Sequence, residues 1–504
     1  MVRVKSCFVI RGAFDGARFA QSLKGLALRF DAAEPARRFG ILDCHDQSLR
    51  ASGRALIQID GSLILLCGRK SQIQGCRGEG KFVQDLPDGP VKVALAGFPK
   101  LRALMNVGSG RVEHRSFVVL GDQQKTQVRG TMMLLSSDQG QVSVVTVRHM
   151  RGYDRAFKSI CQKLKKMDAA ASSTEPVFDG LFPKATIYKA KPQIRIETHE
   201  PSIEVATDII RTYLAVARQN EAGVIDDIDT EFLHDYRVSL RRVRSVISLF
   251  KDVFSLEQTA ELKREFSGLM EPTGRVRDLD VYLLEKDSYF NLIPVNLHDG
   301  VRAMFTQFEN ERAQALGRLS RRFLTQGYDT QMRKLTELFA DPANLRPGPN
   351  ADRPAYDFAC SLIWKRYRKT CKLARRITPH TPDEVVHNLR IDCKKLRYLM
   401  EYFAPLFDAK AFKTIIKPLK KLQDNLGLFN DFSVQQEALQ NFVKQNSNTQ
   451  GRADAQMALS VGGLIAVLDQ RQRAERDCVI AKFKQFDSPD IRHLFRKLFH
   501  HKEG

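Results

Sequence analysis

The sequence predicts two regions of different class: an α+β domain built on an antiparallel sheet over residues 1–167, and an all-α region over residues 198–504, joined by a linker at 168–197. Three observations lead there. Short apolar runs broken by Gly, Asp and Pro fill the first region. Amphipathic segments with apolar residues at helical spacing fill the last. Between them lies a passage of small residues interrupted at Pro176, Pro183 and Pro192 with no sustained period.

In the first region "KSCFVIRGAF", "ALIQIDGSLILLCG", "HRSFVVLGDQQKTQVRGTMMLL" and "GQVSVVTVRHM" read as strands. "DGARFAQSLKGLAL" at 15–28 and "YDRAFKSICQKLKKM" at 153–167 carry the apolar spacing of helices. "RGEGK" at 77–81 reads as a hairpin turn. From Pro201 onward helical periodicity is almost continuous, and "SVGGLIAVL" at 460–468 offers small residues for close packing of a core helix.

Composition narrows the function. The chain of 504 residues is 43% hydrophobic, enough to bury substantial cores, and its formal net charge is +22, which favours an anionic partner. The basic excess is larger in residues 1–200 than in the rest, so in the helical region the arrangement of charge matters more than its sum. "MVRVKSCFVIRGAF" lacks an apolar core of signal-peptide length and "SLILLCG" at 62–68 is too short to span a bilayer, so a cytoplasmic protein with no membrane partner is expected. The nine cysteines (7, 44, 67, 76, 161, 360, 371, 393 and 478) are never spaced C-x-x-C and indicate neither a disulfide framework nor a zinc site. No P-loop, G-x-S-x-G or H-E-x-x-H pattern occurs, and no cofactor is implied.

A repeat organises the helical region. "HDYRVSLRRVRSVISLF" at 234–250 returns as "HNLRIDCKKLRYLMEYF" at 387–403. Counting each His as zero, basic residues stand at +3, +7, +8 and +10 in both: Arg237, Arg241, Arg242 and Arg244, then Arg390, Lys394, Lys395 and Arg397. Gly274 and Asp278 follow the first His at the same distances as Gly427 and Asp431 follow the second. At about 100° per residue, positions 0, +3, +7 and +10 fall within an arc of roughly 80°, while the apolar positions +9, +12, +13 and +16 fall opposite. Each copy thus presents a basic stripe backed by a core-facing stripe.

A merely solvated helix mixes charges to gain i,i+4 pairs, yet no acid interrupts Arg237 to Arg244. The helix before the second copy, "IWKRYRKTCKLARRI", adds Arg366 and Lys369 among seven cations, and Lys413, Lys417, Lys420 and Lys421 follow it. Gathering that many cations costs self-repulsion that an anionic polymer relieves. Asp278 and Asp431 read as helix caps or as carboxylates orienting an arginine.

"LHDYRVSLRRVRS" with "GRVRDLDVYLL", and "VHNLRIDCKKLRYLMEYF" with "LQDNLGLFNDFSV", closely resemble the two halves of a CHAD domain, the conserved-histidine α-helical domain. The resemblance implies two pseudo-symmetric four-helix bundles, repeat one about 198–340 and repeat two about 355–500, with cations lining a pore or groove that binds inorganic polyphosphate. The positions that carry over are His234, Arg237, Arg241, Arg244, His387, Arg390, Lys394 and Arg397. Arg242, Lys395, Arg366 and Lys369 complete the candidate set. Association with polyphosphate granules is a second expectation, which the sequence does not separate from a place near the nucleoid.

"FGILDCHDQSLRASGRALIQID" is similar to a stretch of CYTH (triphosphate-tunnel) domains, and "VVTVRHMRGYDRAFKSICQKL" to their late strand and closing helix. Active members carry an N-terminal E-x-E-x-K signature that supplies metal-binding carboxylates. Here the corresponding residues are Cys7, Phe8, Val9, Ile10 and Arg11, and the acidic late strand reads Val-Val-Thr-Val. Without a carboxylate cluster a metal-assisted phosphoryl chemistry has no basis. The expectation is a degenerate CYTH-like domain and a non-enzymatic polyphosphate binder. A nucleic-acid binder or an N-terminal triphosphate hydrolase are the alternatives.

Overall fold

The computed structural model describes residues 5–76, 80–168, 175–446 and 452–500; the turn expected at 77–81 falls largely outside them. The chain divides into two compact units, Met1–Ala190 and Lys191–Gly504.

The first unit holds β1 (Lys5–Arg11), α1 (Gly16–Ser22), β2 (Ala27–Phe30), β3 (Arg37–Asp43), α2 (Ser48–Ala51), β4 (Arg54–Ile59), β5 (Ser62–Cys67), β6 (Lys70–Gly75), α3 (Pro90–Ala94), β7 (Met105–Leu120), β8 (Thr126–Ser136), β9 (Gln141–His149), α4 (Asp154–Met167) and α5 (Pro176–Leu181). The strands form one antiparallel sheet in the order β1-β9-β8-β7-β3-β4-β5-β6, with β2 added to β7. Tight turns set the register. Asp60 and Gly61 both take positive φ (43° and 74°) between β4 and β5, the geometry of a two-residue hairpin loop. The amide of Cys7 donates to the carbonyl of Arg69 at 3.0 Å, bringing the two ends of the sheet together into a nearly closed surface.

Alternation along β1 feeds two cores. Cys7 and Val9 pack with Phe39, Ile57, Leu135 and Val144, whereas Phe8 and Ile10 pack with Phe19, Phe117, Val145 and Ile160 beneath α1 and α4. Two expectations are corrected here. The helix expected over 15–28 stops at Ser22; Gly25 turns the chain at φ +69°, and Ala27–Phe30 pairs with Phe117–Leu120 as a strand. Strand pairing outweighed a weak local helical pattern. The stretch expected as linker is not featureless, because Val177, Phe178, Leu181 and Phe182 of α5 and its end lie in the first core. A short helix hidden among prolines escapes periodicity.

The second unit is all helical: α6 (Ser202–Ile225), α7 (Thr230–Leu249), α8 (Leu256–Met270), α9 (Gly274–Leu284), α10 (Lys286–Phe290), α11 (His298–Phe323), α12 (Gln326–Leu338), α13 (Ala355–Ala374), α14 (Asp383–Phe403), α15 (Ala409–Asn446), α16 (Arg452–Phe486) and α17 (Pro489–Phe499). The spacing from His234 to His387 superposes α6 on α13, α7 on α14, and α8 plus α9 on the unbroken α15. Pro272 falls at the break between α8 and α9, where repeat two has Asn425, whereas α15 runs on through its own Pro418.

Equivalent residues meet across a pseudo-two-fold axis. Pro201 bridges Pro354, and Phe250 stacks on Phe403. The copies also share a core, in which Leu279, Tyr282, Phe305 and Phe308 of repeat one interleave with Leu439, Phe442, Val461 and Leu464 of repeat two. Sharing these side chains buries each repeat's apolar face against the other.

Candidate functional site

The two basic helices are positioned by their apolar faces. Asp229 caps α7 by accepting from the amide of Glu231 at 2.9 Å. Phe232, Tyr236, Leu240, Val243 and Ile247 are then buried on one side. That leaves His234, Arg237 and Arg241 half-buried and Arg244 exposed on the other. In α14, Val386, Leu389, Cys393, Leu396 and Met400 are buried. His387 is exposed, and Arg390, Lys394 and Arg397 are half-buried.

These stripes meet across the pseudo-two-fold. The Lys394 ammonium is pushed down to about 8, first by burial and then by the charges of Arg241, Arg390 and Arg397, with Asp431 opposing. Arg241 and Lys394 hold the same place in the two repeats, so the centre of this face is where both copies converge. Burial, reinforced by Arg241 and Arg277, lowers the Arg237 guanidinium as well, with Asp278 opposing. Arg241 Nε and Arg277 Nη1 are buried donors with no hydrogen-bond partner among the described residues. Buried unpaired donors on a cationic face are costly unless an acceptor arrives.

Supporting contacts fix the remaining groups. Arg237 Nη1 donates to Thr273 Oγ1. His387 Nδ1 lies 2.6 Å from Asn430 Oδ1, Arg390 is 3.8 Å from Asp431, and Arg397 donates to Glu401 at 2.7 Å and Gln423 at 3.2 Å. Asp431 thus stands beside an arginine. Asp278 is held above the usual carboxylate range by burial, against the pull of Arg237, Arg275 and Arg277.

Four candidates lie elsewhere. Arg242 is 9% exposed, donates to Glu401 at 3.0 Å and sits 5.1 Å from the Tyr213 ring. Its charge is already matched inside the protein. Arg366 and Lys369 reach buried Asp392 at 2.9 and 3.3 Å, and Lys395 beside them is lowered by burial, then by Arg366 and Lys369, with Asp392 opposing. Sequence reasoning missed Arg277 and Glu401. Arg277 corresponds to Asn430 in the other copy and Glu401 to Ser248, so matching offsets passes over both.

In the first unit a cavity of about 510 Å³ is lined by Lys5, His114, Arg129 and Arg148 with one carboxylate, Asp31. Cys7 and Val9 are buried in an apolar cluster, and burial pushes the Cys7 thiol up to about 11. Among the described residues no group of three or more His, Cys, Asp or Glu side chains is placed to hold a metal ion, and no helix is long and apolar enough to cross a membrane.

The family model described as the CHAD domain matches residues 208–440, an interval that contains both basic helices. This segment is a CHAD domain. An uncharacterized protein of Mycobacterium tuberculosis is 26% identical over 216 residues, 41% of this chain and 39% of the relative, so the match spans about two fifths of that protein's length. The crystal structure of the CHAD domain from the plant Ricinus communis is 25% identical with a TM-score of 0.49, covering 58% of this chain and 95% of that one. PptA from Streptomyces chartreusis is 15% identical with a TM-score of 0.44, covering 56% and 100%. A putative adenylate cyclase from Vibrio parahaemolyticus is 10% identical with a TM-score of 0.18, covering 34% and 87%. Within the CHAD domain the basic stripes are the paired helices α7 and α14.

Proposed function

We propose that the face formed by α7 and α14 binds inorganic polyphosphate and leaves it chemically unchanged. The CHAD family is linked to polyphosphate binding in general. The observation that carries the reading for this chain is the convergence of Arg241 with Lys394, Arg390 and Arg397, cations held together at a cost that an anion offsets. Polyphosphate has spaced charges and no bases, so it needs cations at intervals and little else. Arginine supplies forked charge-assisted hydrogen bonds of ~1.5–3 kcal/mol each, and lysine a point charge. The buried donors Arg241 Nε and Arg277 Nη1 would be satisfied by phosphate oxygens.

Two of the three tyrosines near these stripes support this reading over nucleic acid, while the third, Tyr398, is half-buried with Lys394 Nζ 5.8 Å from its ring. Tyr236 is fully buried and bonded to Tyr328 at 3.1 Å, and Tyr367 is stacked on Phe495. Neither ring is available to stack a base. In the first unit the apolar setting of Cys7 and Val9 supports a domain without phosphoryl chemistry. Association with polyphosphate granules follows from the same reading.

Titration of labelled long-chain polyphosphate into the full chain at physiological salt tests it. Submicromolar binding that is lost after Arg237→Ala, Arg241→Ala, Arg390→Ala and Lys394→Ala together is expected. No binding, or binding indifferent to those changes, would sink the proposal.

A further inference from the structure

A second cation-lined groove lies in the same unit, between α13 and α17. Aromatic packing joins the two helices: Tyr367 stacks on Phe495 with centroids 3.8 Å apart and 5° between planes, and Phe486 meets both rings edge-on. With those rings inside, Lys365, Arg368 and Lys372 of α13 and Arg492 and Arg496 of α17 are exposed along a groove of about 850 Å³. Asp487, outside the lining, is bonded to Arg375 at 2.9 Å and lies 3.9 Å from Arg492. Lys365, Arg368, Lys372 and Arg496 make no ion pair among the described residues.

The fold does not require these cations. In repeat one the positions of Lys365, Arg368, Lys372 and Arg375 are Thr212, Ala215, Gln219 and Ala222, and the same helix packs without the charge. The central stripe is duplicated, whereas these four cations stand in repeat two without counterparts at the matching positions of repeat one. The groove's far rim, α17, lies beyond the 208–440 family match. Lys369 connects the two places, lining the groove while pairing with Asp392 of α14, two residues from Lys394.

We propose that the α13–α17 groove is a second phosphate-chain site, so that one long polyphosphate is held both there and on the α7–α14 face. The inference rests on the polyphosphate reading above. Holding one chain at two places converts the second contact into an intramolecular one, and affinity then rises with chain length. A nucleic acid is disfavoured because the groove's rings are engaged, Tyr367 by Phe495, and Trp364 by Tyr367 at 5.8 Å and His500 at 4.9 Å.

Trp364 is the chain's single tryptophan and lines the groove, so its emission reports on this site. The full chain is titrated with long-chain polyphosphate, tripolyphosphate and oligothymidylate, alongside a groove variant (Lys365→Ala, Arg368→Ala, Lys372→Ala, Arg496→Ala) and the central variant above. Circular dichroism checks that each variant is folded. Long-chain polyphosphate should change Trp364 emission in the wild type and the central variant but not in the groove variant. The groove variant should lose about tenfold or more in long-chain affinity and keep its tripolyphosphate affinity. Unchanged long-chain affinity in that variant, or oligothymidylate displacing polyphosphate from the Trp364 signal, would overturn the inference. A central variant with wild-type affinity would instead count against the α7–α14 reading.

Discussion

Phe250 and Phe403 occupy the same position in the two repeats and stack on one another, ring centroids 4.9 Å apart with 12° between planes. Both are at most 2% exposed, and Phe358 and Tyr402 close around Phe250 edge-on. The contact ties one basic helix to the other. Phe403→Ala should therefore cost about 3–5 kcal/mol in denaturant unfolding followed by Trp364 emission. It should also weaken polyphosphate binding, because the α7–α14 spacing is no longer fixed.

Arg242 and Glu401 form a largely buried pair between the same helices, and Arg397 shares the carboxylate at 2.7 Å. Removing the carboxylate as Glu401→Ala should destabilise by about 3–5 kcal/mol, since Arg242 would stay buried without its partner. Arg242→Met combined with Glu401→Met should cost less than the Glu401 change alone. Polyphosphate affinity should stay near wild type in Arg242→Met and fall about tenfold or more in Arg241→Ala, for one lost charge-assisted contact. Equal losses in the two variants would show that Arg242 reaches the ligand.

Lys394 gives the site a pH dependence. Its free-state value of about 8 lies below the lysine norm, and a bound polyanion favours the charged form. Below pH 8 the ammonium is already charged and binding takes up little proton. Above it, binding must reprotonate the amine, so affinity should fall as pH rises from 8 towards 10. Lys394→Arg, which stays charged throughout, should show a flatter profile. Parallel profiles for the two proteins would exclude Lys394 as the source.

Salt should act steeply. If several phosphates are contacted, log affinity should fall linearly with log salt, by analogy with other polyelectrolytes, and each cation removed from the central face should reduce the slope by somewhat under one unit. A slope near zero would contradict an electrostatic site.

Adding carboxylates to the first unit and assaying the wild type test the proposal that this unit carries no phosphoryl chemistry. Cys7→Glu and Val9→Glu would put acids into an apolar cluster, and each should destabilise the unit by several kcal/mol in thermal unfolding. The wild type should release no phosphate from tripolyphosphate with Mg²⁺ or Mn²⁺. Measured release would overturn the proposal.

The sequence by itself determined the classes of both regions, the duplication and the stripe at 0, +3, +7 and +10, because helical period and matching offsets are local properties. It also set Arg242, roughly 80° round from the His, off the stripe that carries Arg241, without saying what Arg242 meets. Packing supplied the partners, placing Arg241 on the face shared with Lys394 and Arg242 against Glu401. The tertiary structure likewise decided that Ala27–Phe30 is a strand and that α5 completes a core. It also decided that α17 closes a groove against α13. Those outcomes depend on partners far along the chain, and no window of sequence contains the free energy of burying one segment against another.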